Sequence, residues 1–226
     1  VARFAARFAE FTVAPETLAL MRAMTAAGEA DALVAERVWQ ELARGLMERR
    51  PSRMIAVLAA SGALAVLLPE LATAPLAAAL DRAAAADEPL PVRYSILLAG
   101  VTADAAASVS ARLRVPNDCR ETAILVTTEL GSATGAPVAA GRWLGELAAA
   151  SPPALLAQLI RCDAWRRPAR AERLIHAAAR LADADPLTHP GGIRLRTALA
   201  AAAAGCRRGA DRKSTRLNSS HLVISY

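Results

Sequence analysis

Residues 54–71 read MIAVLAASGALAVLLPEL, and this apolar stretch decides which kind of fold the chain can adopt. Its most apolar part covers the fifteen residues Met54–Leu68, is interrupted by Ser61 and Gly62, and is stopped by Pro69. A helix that crosses a membrane needs about 20 apolar residues. The stretch therefore predicts two short buried helices that meet at Gly62, and no membrane span.

The opening residues also repeat at helical spacing. In VARFAARFAEF, residues 1–11, large apolar side chains recur at steps of four, four and three, which places them on one face of an amphipathic helix. A second helix is predicted to begin at Pro15 and to end near Gly28, which tolerates a left-handed conformation. The residues that share this face of the first helix are Val1, Phe4, Phe8 and Phe11, and the residues expected to face inward in the second helix are Leu18, Met21 and Met24.

A third helix is predicted from about Ala35 to Arg49. Its apolar stripe consists of Val38, Leu42 and Leu46 or Met47, with Trp39 beside it. Further helices are expected to follow Pro51, Pro91, Pro116 and Pro153, because proline suits the first turn of a helix. In the helix after Pro116, the expected buried stripe is Cys119, Ala123 and Val126 or Thr127.

The fold class follows from these patterns. No convincing alternation of apolar and polar residues, which would indicate a strand, occurs in the sequence. Residues 72–91 are alanine-rich and lose the helical pattern, which indicates a possible division of the chain near residues 70–90. The sequence predicts an all-α protein of about ten to twelve helices.

The composition separates the last sixteen residues from the rest. All 58 alanines lie in residues 1–210, whereas residues 211–226 read DRKSTRLNSSHLVISY and contain the chain's one lysine. This run resembles the in-frame translation of a sequencing-library adapter, and we expect it to be an unstructured artefact. Without it the net charge falls from +6 to +4, and all 24 basic residues are arginines.

Few residues suit catalysis or metal binding. Residues 1–210 contain two histidines, His176 and His189, which are too few for a zinc or phosphohydrolase centre. Cys119, Cys162 and Cys206 are far apart and lack a C-x-x-C pair, which is typical of reduced thiols in a cytoplasmic protein. We therefore predict no catalytic residue and no metal ligand in this chain. No nucleotide-binding residue is predicted either, because Gly191-Gly192 stands alone and Gly131-x-x-x-Gly135 lacks the lysine of a glycine-rich phosphate loop.

The segment 161–173, RCDAWRRPARAER, is the best candidate for ligand binding. Arginines pair with phosphates, and a tryptophan can stack on a base. The candidate RNA-binding residues are Arg161, Trp165, Arg166, Arg167, Arg170 and Arg173. The alternative is a solvated arginine face with Trp165 buried and Asp163 paired locally. Two smaller basic groups extend the same positive surface if they face the same way. They are Arg49, Arg50 and Arg53, and Arg112, Arg114 and Arg120.

Several runs of the sequence resemble bacterial CCA-adding enzymes of the multifunctional type. In order, they are RFAARF, APETLALMRAMTAAGE, ERVWQEL, VLAASGALAVLLPEL, RLRVPND and DAWRRPAR, and together they span roughly residues 1–205. The resemblance implies an enzyme that adds cytidine, cytidine and adenosine to tRNA 3′ ends with CTP, ATP and Mg²⁺. In that family a catalytic head precedes a helical neck, body and tail, and the resemblance implies that this chain begins in the neck.

The resemblance also implies how the chain is divided. Residues 1–72 correspond to the neck, and residues 73–210 to the body and tail, with a degenerate HD phosphohydrolase region because Ala99-Gly100 stands where the family has a His-Asp doublet. We expect the fragment to bind tRNA in the cytoplasm, to bind neither DNA nor a membrane, and to be inactive without the head. The alternative is a catalytically inert helical scaffold.

Overall fold

The computed structural model describes residues 1–71, 77–132 and 153–166, together with helical positions 197, 198 and 200. In these residues all regular structure is helical, which confirms the all-α prediction. The ten helices are α1 (Ala2–Arg7), α2 (Pro15–Ala26), α3 (Ala35–Leu46), α4 (Pro51–Ala60), α5 (Ala63–Leu67), α6 (Ala77–Ala85), α7 (Leu90–Leu97), α8 (Ala103–Arg112), α9 (Asn117–Ser132) and α10 (Pro153–Arg166).

Helix α7 lies at the centre of the apolar core. Every residue from Pro91 to Leu97 is buried, and α3, α6, α9 and α10 pack around the helix. The ring of Trp39 on α3 meets the ring of Tyr94 edge-on, with the ring centres 5.1 Å apart. Core residues come from both sides of residue 72, from Ala6 to Ala198. The proposed boundary between residues 72 and 73 falls outside the described residues and stays a prediction.

Helix α1 is shorter than the sequence predicted, and alanines form its buried face. It ends at Arg7, and Phe8 is extended, with φ −106° and ψ 121°. Ala5 and Ala6 are buried, whereas Phe4 and Phe8 are 45% and 41% exposed. The phenylalanines therefore share a partly exposed face, where the ring centre of Phe4 lies 6.2 Å from that of Phe8 and 6.4 Å from that of Phe11. The small alanine face lets the chain before α4 approach closely, and the Arg50 amide donates to the Ala6 carbonyl at 2.9 Å.

An arginine of α4 binds the chain that follows α1. Arg53 Nη1 donates to the carbonyl oxygens of Phe8 at 2.8 Å and Ala9 at 2.7 Å, and its Nη2 donates to that of Phe11. These carbonyls are satisfied from outside the helix, so the backbone of residues 8–11 leaves the helical path without losing its hydrogen bonds.

Helix α2 buries none of its residues, which corrects the prediction for its inward face. Leu18 and Met21 are half-buried, and Met24 is 41% exposed. The predicted end of the helix is confirmed. Gly28 has φ +81°, its amide donates to Thr25, and the next amide donates to Met24, which together make a Schellman motif.

The third, fourth and fifth helices follow the prediction closely. Trp39, Leu42 and Leu46 of α3 are buried, although the helix ends before Met47 instead of reaching Arg49. Helices α4 and α5 meet at Gly62, whose φ is +80°. No helix among the described residues is long and apolar enough to cross a membrane.

The alanine-rich stretch after α5 contains a helix that the pattern analysis missed. Helix α6 buries Ala79, Leu80 and Ala83 and packs against α4 and α7. Alanines give little contrast between an apolar and a polar face, so the helical period is weak in the sequence. The Asp81 carboxylate accepts from the Ser52 amide at 3.1 Å and the Ser52 hydroxyl at 2.7 Å, and so caps the start of α4.

The remaining predicted helices are present. Pro116 precedes α9, in which Cys119, Ala123 and Val126 are buried as expected. Helix α10 begins at Pro153 and packs against α6, α7 and α9. The segment expected to be an adapter-derived artefact, residues 211–226, lies outside the described residues.

Candidate RNA-binding segment

The candidate segment begins on the last two turns of α10. The inner face of this helix is apolar and buried; its members are Leu156, Ala157, Leu159, Ile160 and Cys162. Trp165 and Arg166 belong to the last turn, for which the structure describes the backbone. Arg167, Arg170 and Arg173 lie outside the described residues. The involvement of these five residues in RNA binding stays a prediction.

Arg161 differs from the other candidates because the structure places its side chain in the interior. The side chain is 14% exposed and forms an ion pair, from its Nη2, with Oε2 of Glu88, whose side chain is 2% exposed. A guanidinium in this position neutralises a carboxylate of its own chain. Arg161 is thus the candidate whose described contacts lie inside the protein.

Glu88 faces inward because of the turn that ends α6. Asp87 has φ +58°, its amide donates to Ala84, and the Glu88 amide donates to Ala83, both at 3.0 Å. This is a Schellman motif with aspartate at the left-handed position usually taken by glycine. The motif reverses the chain directly before α7 and directs Glu88 toward α10.

Arg93 of α7 holds the same turn from the other side and is 1% exposed. Its Nε donates to the Glu88 carbonyl at 2.7 Å, and its Nη1 donates to the carbonyls of Leu46 at 2.8 Å and Glu48 at 3.3 Å. Asp87 Oδ1 lies 3.7 Å from Nη2. Burial lowers the pKa of Arg93, while the charges of Asp87 and Glu88 act in the opposite direction.

Glu88 and Arg93 belong to this cluster, although neither was among the candidate residues predicted from the sequence. A signal was present, since Arg93 is the one charged residue in the apolar run PVRYSILLAG. A charged side chain inside an otherwise buried helix needs partners, because an unpaired buried charge is costly. The identity of those partners depends on tertiary structure, because Arg93 binds the end of α3 and the turn between α6 and α7.

The two smaller basic groups also make contacts within the chain. Arg112 Nη2 binds both carboxylate oxygens of Glu70, at 2.9 Å and 2.8 Å, and Arg114 pairs with Glu36. Arg50 Nε lies 3.7 Å from Oδ2 of Asp81. Much of this positive charge therefore joins helices of the protein to one another.

The described residues contain no group of three or more His, Cys, Asp or Glu side chains that could hold a metal ion. Burial raises the pKa of the Cys119 thiol to about 12, so this thiol stays protonated and unreactive at neutral pH. An open cavity of about 320 Å³ between α1 and α3 is mostly apolar, with Arg3, Arg37 and Glu41 as its charged lining residues.

Comparisons with known proteins bear on the segment and on the rest of the chain. A family model described as the probable RNA- and SrmB-binding site of polymerase A matches residues 10–74. The chain is 44% identical over 215 residues to the multifunctional CCA protein of Azoarcus sp. (strain BH72), covering 79% of this chain and 50% of that protein. It is 48% identical over 185 residues to the CCA-adding enzyme of Bordetella bronchiseptica, covering 81% of this chain and 46% of that protein.

A third relative agrees with these two. The chain is 43% identical over 246 residues to the multifunctional CCA protein of Burkholderia mallei (strain SAVP1), covering 90% of this chain and 56% of that protein. No solved structure matches the chain. The chain spans about half the length of these relatives. These matches confirm the resemblance seen in the sequence: over most of its length the chain is homologous to bacterial CCA-adding enzymes.

Proposed function

We propose that this homologue of bacterial CCA-adding enzymes binds and positions tRNA. The observation that carries the proposal is the identity of 43–48% to CCA-adding proteins over 79–90% of the chain. The match of residues 10–74 to a model named for RNA binding supports it independently. In this role the helical chain holds the RNA while another part of the enzyme performs nucleotidyl transfer.

The distribution of charge favours residues 161–173 for contact with phosphates. Residues 10–74 contain six arginines and eight acidic residues, a net charge of −2. Residues 161–173 contain five arginines and two acidic residues, Asp163 and Glu172. Because phosphate binding depends on accessible positive charge, the RNA backbone should meet the second segment more strongly. Arg161 is paired internally, so Arg166, Arg167, Arg170 and Arg173 are the arginines proposed for this contact.

The chemistry of the whole enzyme belongs to the same proposal. CCA addition consumes CTP and ATP, and Mg²⁺ supplies the charge stabilisation that phosphoryl transfer needs. The described residues contain no set of three side chains suited to the metal. We therefore propose that the nucleotides and the metal bind to a part of the enzyme other than these residues. We also propose that the enzyme acts in the cytoplasm.

A helical interaction domain without an RNA role is the second candidate. It is favoured by the contacts of the arginines, since Arg53, Arg93, Arg112 and Arg114 all bind carbonyls or carboxylates of their own chain. Such a domain would use arginine to join helices and would have little charge available for phosphates.

Filter binding of a labelled tRNA transcript at several salt concentrations distinguishes the two functions. The proposal predicts retention that weakens as salt increases, because phosphate contacts release counterions. Arg166→Glu and Arg167→Glu, made singly and together, should weaken binding and flatten the salt dependence. Arg82→Glu on α6 makes the same change of charge at an exposed arginine that is not part of the segment, and it serves as the control. Salt-independent retention, or equal effects of all three substitutions, would contradict the proposal.

A further inference from the structure

The outer side of α1 carries aromatic side chains that the core does not bury. Phe4 and Phe8 are both exposed, and their rings are nearly parallel, with an interplanar angle of 15° and ring centres 6.2 Å apart. These two rings form the aromatic face of α1. The exposed side chains of Val1 and Leu33 extend it, since both line the same cavity as Phe4. Single exposed apolar residues are common, but a contiguous apolar patch indicates a surface that binds a ligand or partner.

The segment that follows α1 holds the aromatic face in a fixed position. Arg53 of α4 donates hydrogen bonds to three carbonyls of this segment, those of Phe8, Ala9 and Phe11. The Phe11 ring in turn lies 6.4 Å from the Phe4 ring. A surface that is ordered before its ligand arrives loses little conformational freedom on binding. The fold therefore presents the exposed rings ready for a flat ligand.

The cavity between α1 and α3 opens beside the aromatic face, with Phe4 in its wall. Its volume of about 320 Å³ is at the lower end of the range for sites that bind small organic groups. Nine of its thirteen lining residues fall within residues 10–74, the range that matches the model named for RNA binding. The size and the mostly apolar lining suit one flat group such as a nucleobase.

Two arginines at this surface are available to an anionic ligand. Arg7 lies over Phe8, with its guanidinium carbon 5.4 Å from the ring centre, and Arg37 lines the cavity. Neither pairs with a carboxylate of the described residues, whereas Arg3 pairs with Glu41 at 3.1 Å. Exposed aromatic rings beside free positive charge are typical of sites for single-stranded nucleic acid, where bases stack on the rings and arginines meet the phosphates.

Contact with bases also accounts for the charge of the neighbouring region. Residues 10–74 match a model named for RNA binding, yet they carry a net charge of −2. Phosphate contacts need accessible positive charge, whereas stacking needs exposed aromatic and apolar surface. The aromatic face and the cavity supply such a surface.

We propose that the aromatic face and the adjoining cavity form a binding site for unpaired bases of RNA. This inference rests on the proposed function and adds a second kind of contact to it. The arginines of residues 161–173 are proposed for phosphates, whereas Phe4 and Phe8 stack on bases. Bases inside a duplex are already paired and stacked, so the site selects single-stranded segments.

Replacing both phenylalanines tests the site. Phe4→Leu and Phe8→Leu, made together, keep apolar side chains on the surface but remove the rings. Filter binding of a labelled single-stranded RNA of mixed sequence should weaken by about tenfold. Its salt dependence should not change, because the substitutions alter no charge. Binding of the duplex that the same RNA forms with its complement should stay at the level of the wild type.

Two controls separate stacking from a general effect on the surface. Leu20→Ala removes an exposed apolar side chain from a different helix, α2, and should leave both affinities unchanged. Phe4→Tyr and Phe8→Tyr, made together, keep the rings and should bind the single strand as tightly as the wild type does. All variants of the full chain are compared at a temperature where circular dichroism shows them folded.

Cross-linking of the wild-type chain provides a measurement that needs no substitution. Irradiation of its complex with an iodouridine-substituted single-stranded RNA should attach the RNA to the peptides that contain Phe4 and Phe8. Cross-links confined to other parts of the chain would overturn the base-binding site.

The binding measurements can also overturn it. A leucine variant that binds the single strand as tightly as the wild type, or that loses the same affinity for the duplex, contradicts stacking on bases. Unchanged RNA affinity together with lost self-association in sedimentation would instead make this face an interface between copies of the chain. A wild-type chain that binds neither RNA refutes the proposed function as well, which is distinct from the loss of the base contact alone.

Discussion

Replacing Arg93 with methionine should destabilise the protein strongly. The guanidinium is 1% exposed and donates to three backbone carbonyls, those of Leu46, Glu48 and Glu88. Methionine fills a similar volume but donates no hydrogen bond, so it leaves buried acceptors unpaired. Breaking a buried charged network from one side costs about 3–5 kcal/mol, and each orphaned acceptor accounts for about 1–3 kcal/mol.

Urea denaturation followed by circular dichroism measures this loss. With a slope of about 2 kcal/mol per molar urea, the midpoint should fall by about 2 M. Arg93→Lys keeps the charge but not the forked geometry, and it should lose about half as much. Arg82→Met on the exposed side of α6 is the control and should change the free energy of unfolding by less than about 0.5 kcal/mol. A loss below about 1 kcal/mol for Arg93→Met would refute the importance of the network.

Three further results are expected. Gly45→Ala should lower the free energy of unfolding by about 1–3 kcal/mol, because a Cβ at this position overlaps the Met54 sulfur. In a double-mutant cycle, adding Met54→Val should recover part of this stability. Arg53→Met should lower the free energy of unfolding by about 1–2 kcal/mol and speed amide hydrogen exchange in residues 8–11, whose carbonyls Arg53 binds. Unchanged exchange would contradict the role of Arg53 in holding this segment. Burial raises the pKa values of Cys119 and Tyr94 to about 12, so the unfolded chain loses these protons at lower pH than the folded chain does. The free energy of unfolding should therefore fall between about pH 9 and pH 12, by at most about 1.4 kcal/mol per pH unit for each group. Cys119→Ala should flatten that fall, and an unchanged slope would exclude the thiol as its source.

The candidate site was only partly predictable. The arginine-rich segment was identified because residue type and density are visible in the sequence. The burial of Arg161 was not predictable, since its partner Glu88 lies far from it in the sequence, in the turn between α6 and α7. No local sequence pattern around either residue indicates that the two form an ion pair. Glu88 faces inward because Asp87 has a positive φ. This backbone conformation is expected at glycine, so an aspartate gives no signal of it in the sequence.

The errors in the fold have a common cause. In α1 the apolar periodicity singles out the phenylalanines, but Ala5 and Ala6 are the buried residues. Helix α6 was missed although Ala79 and Ala83 pack in the core. Small side chains bury little area each, yet they let helices approach closely. Hydrophobic periodicity weights residues by size and apolarity, so it undervalues an alanine face.

The sequence by itself determined the helical class, most of the helix starts and the homology to CCA-adding enzymes. These depend on local backbone chemistry, such as proline at Pro51 and a left-handed glycine at Gly62, and on residue identity along the chain. Only the tertiary structure decided which face of each helix is buried and which arginines are held inside. Those outcomes depend on how closely two helices approach and on which charge meets which across the core, and residues far apart in sequence set both.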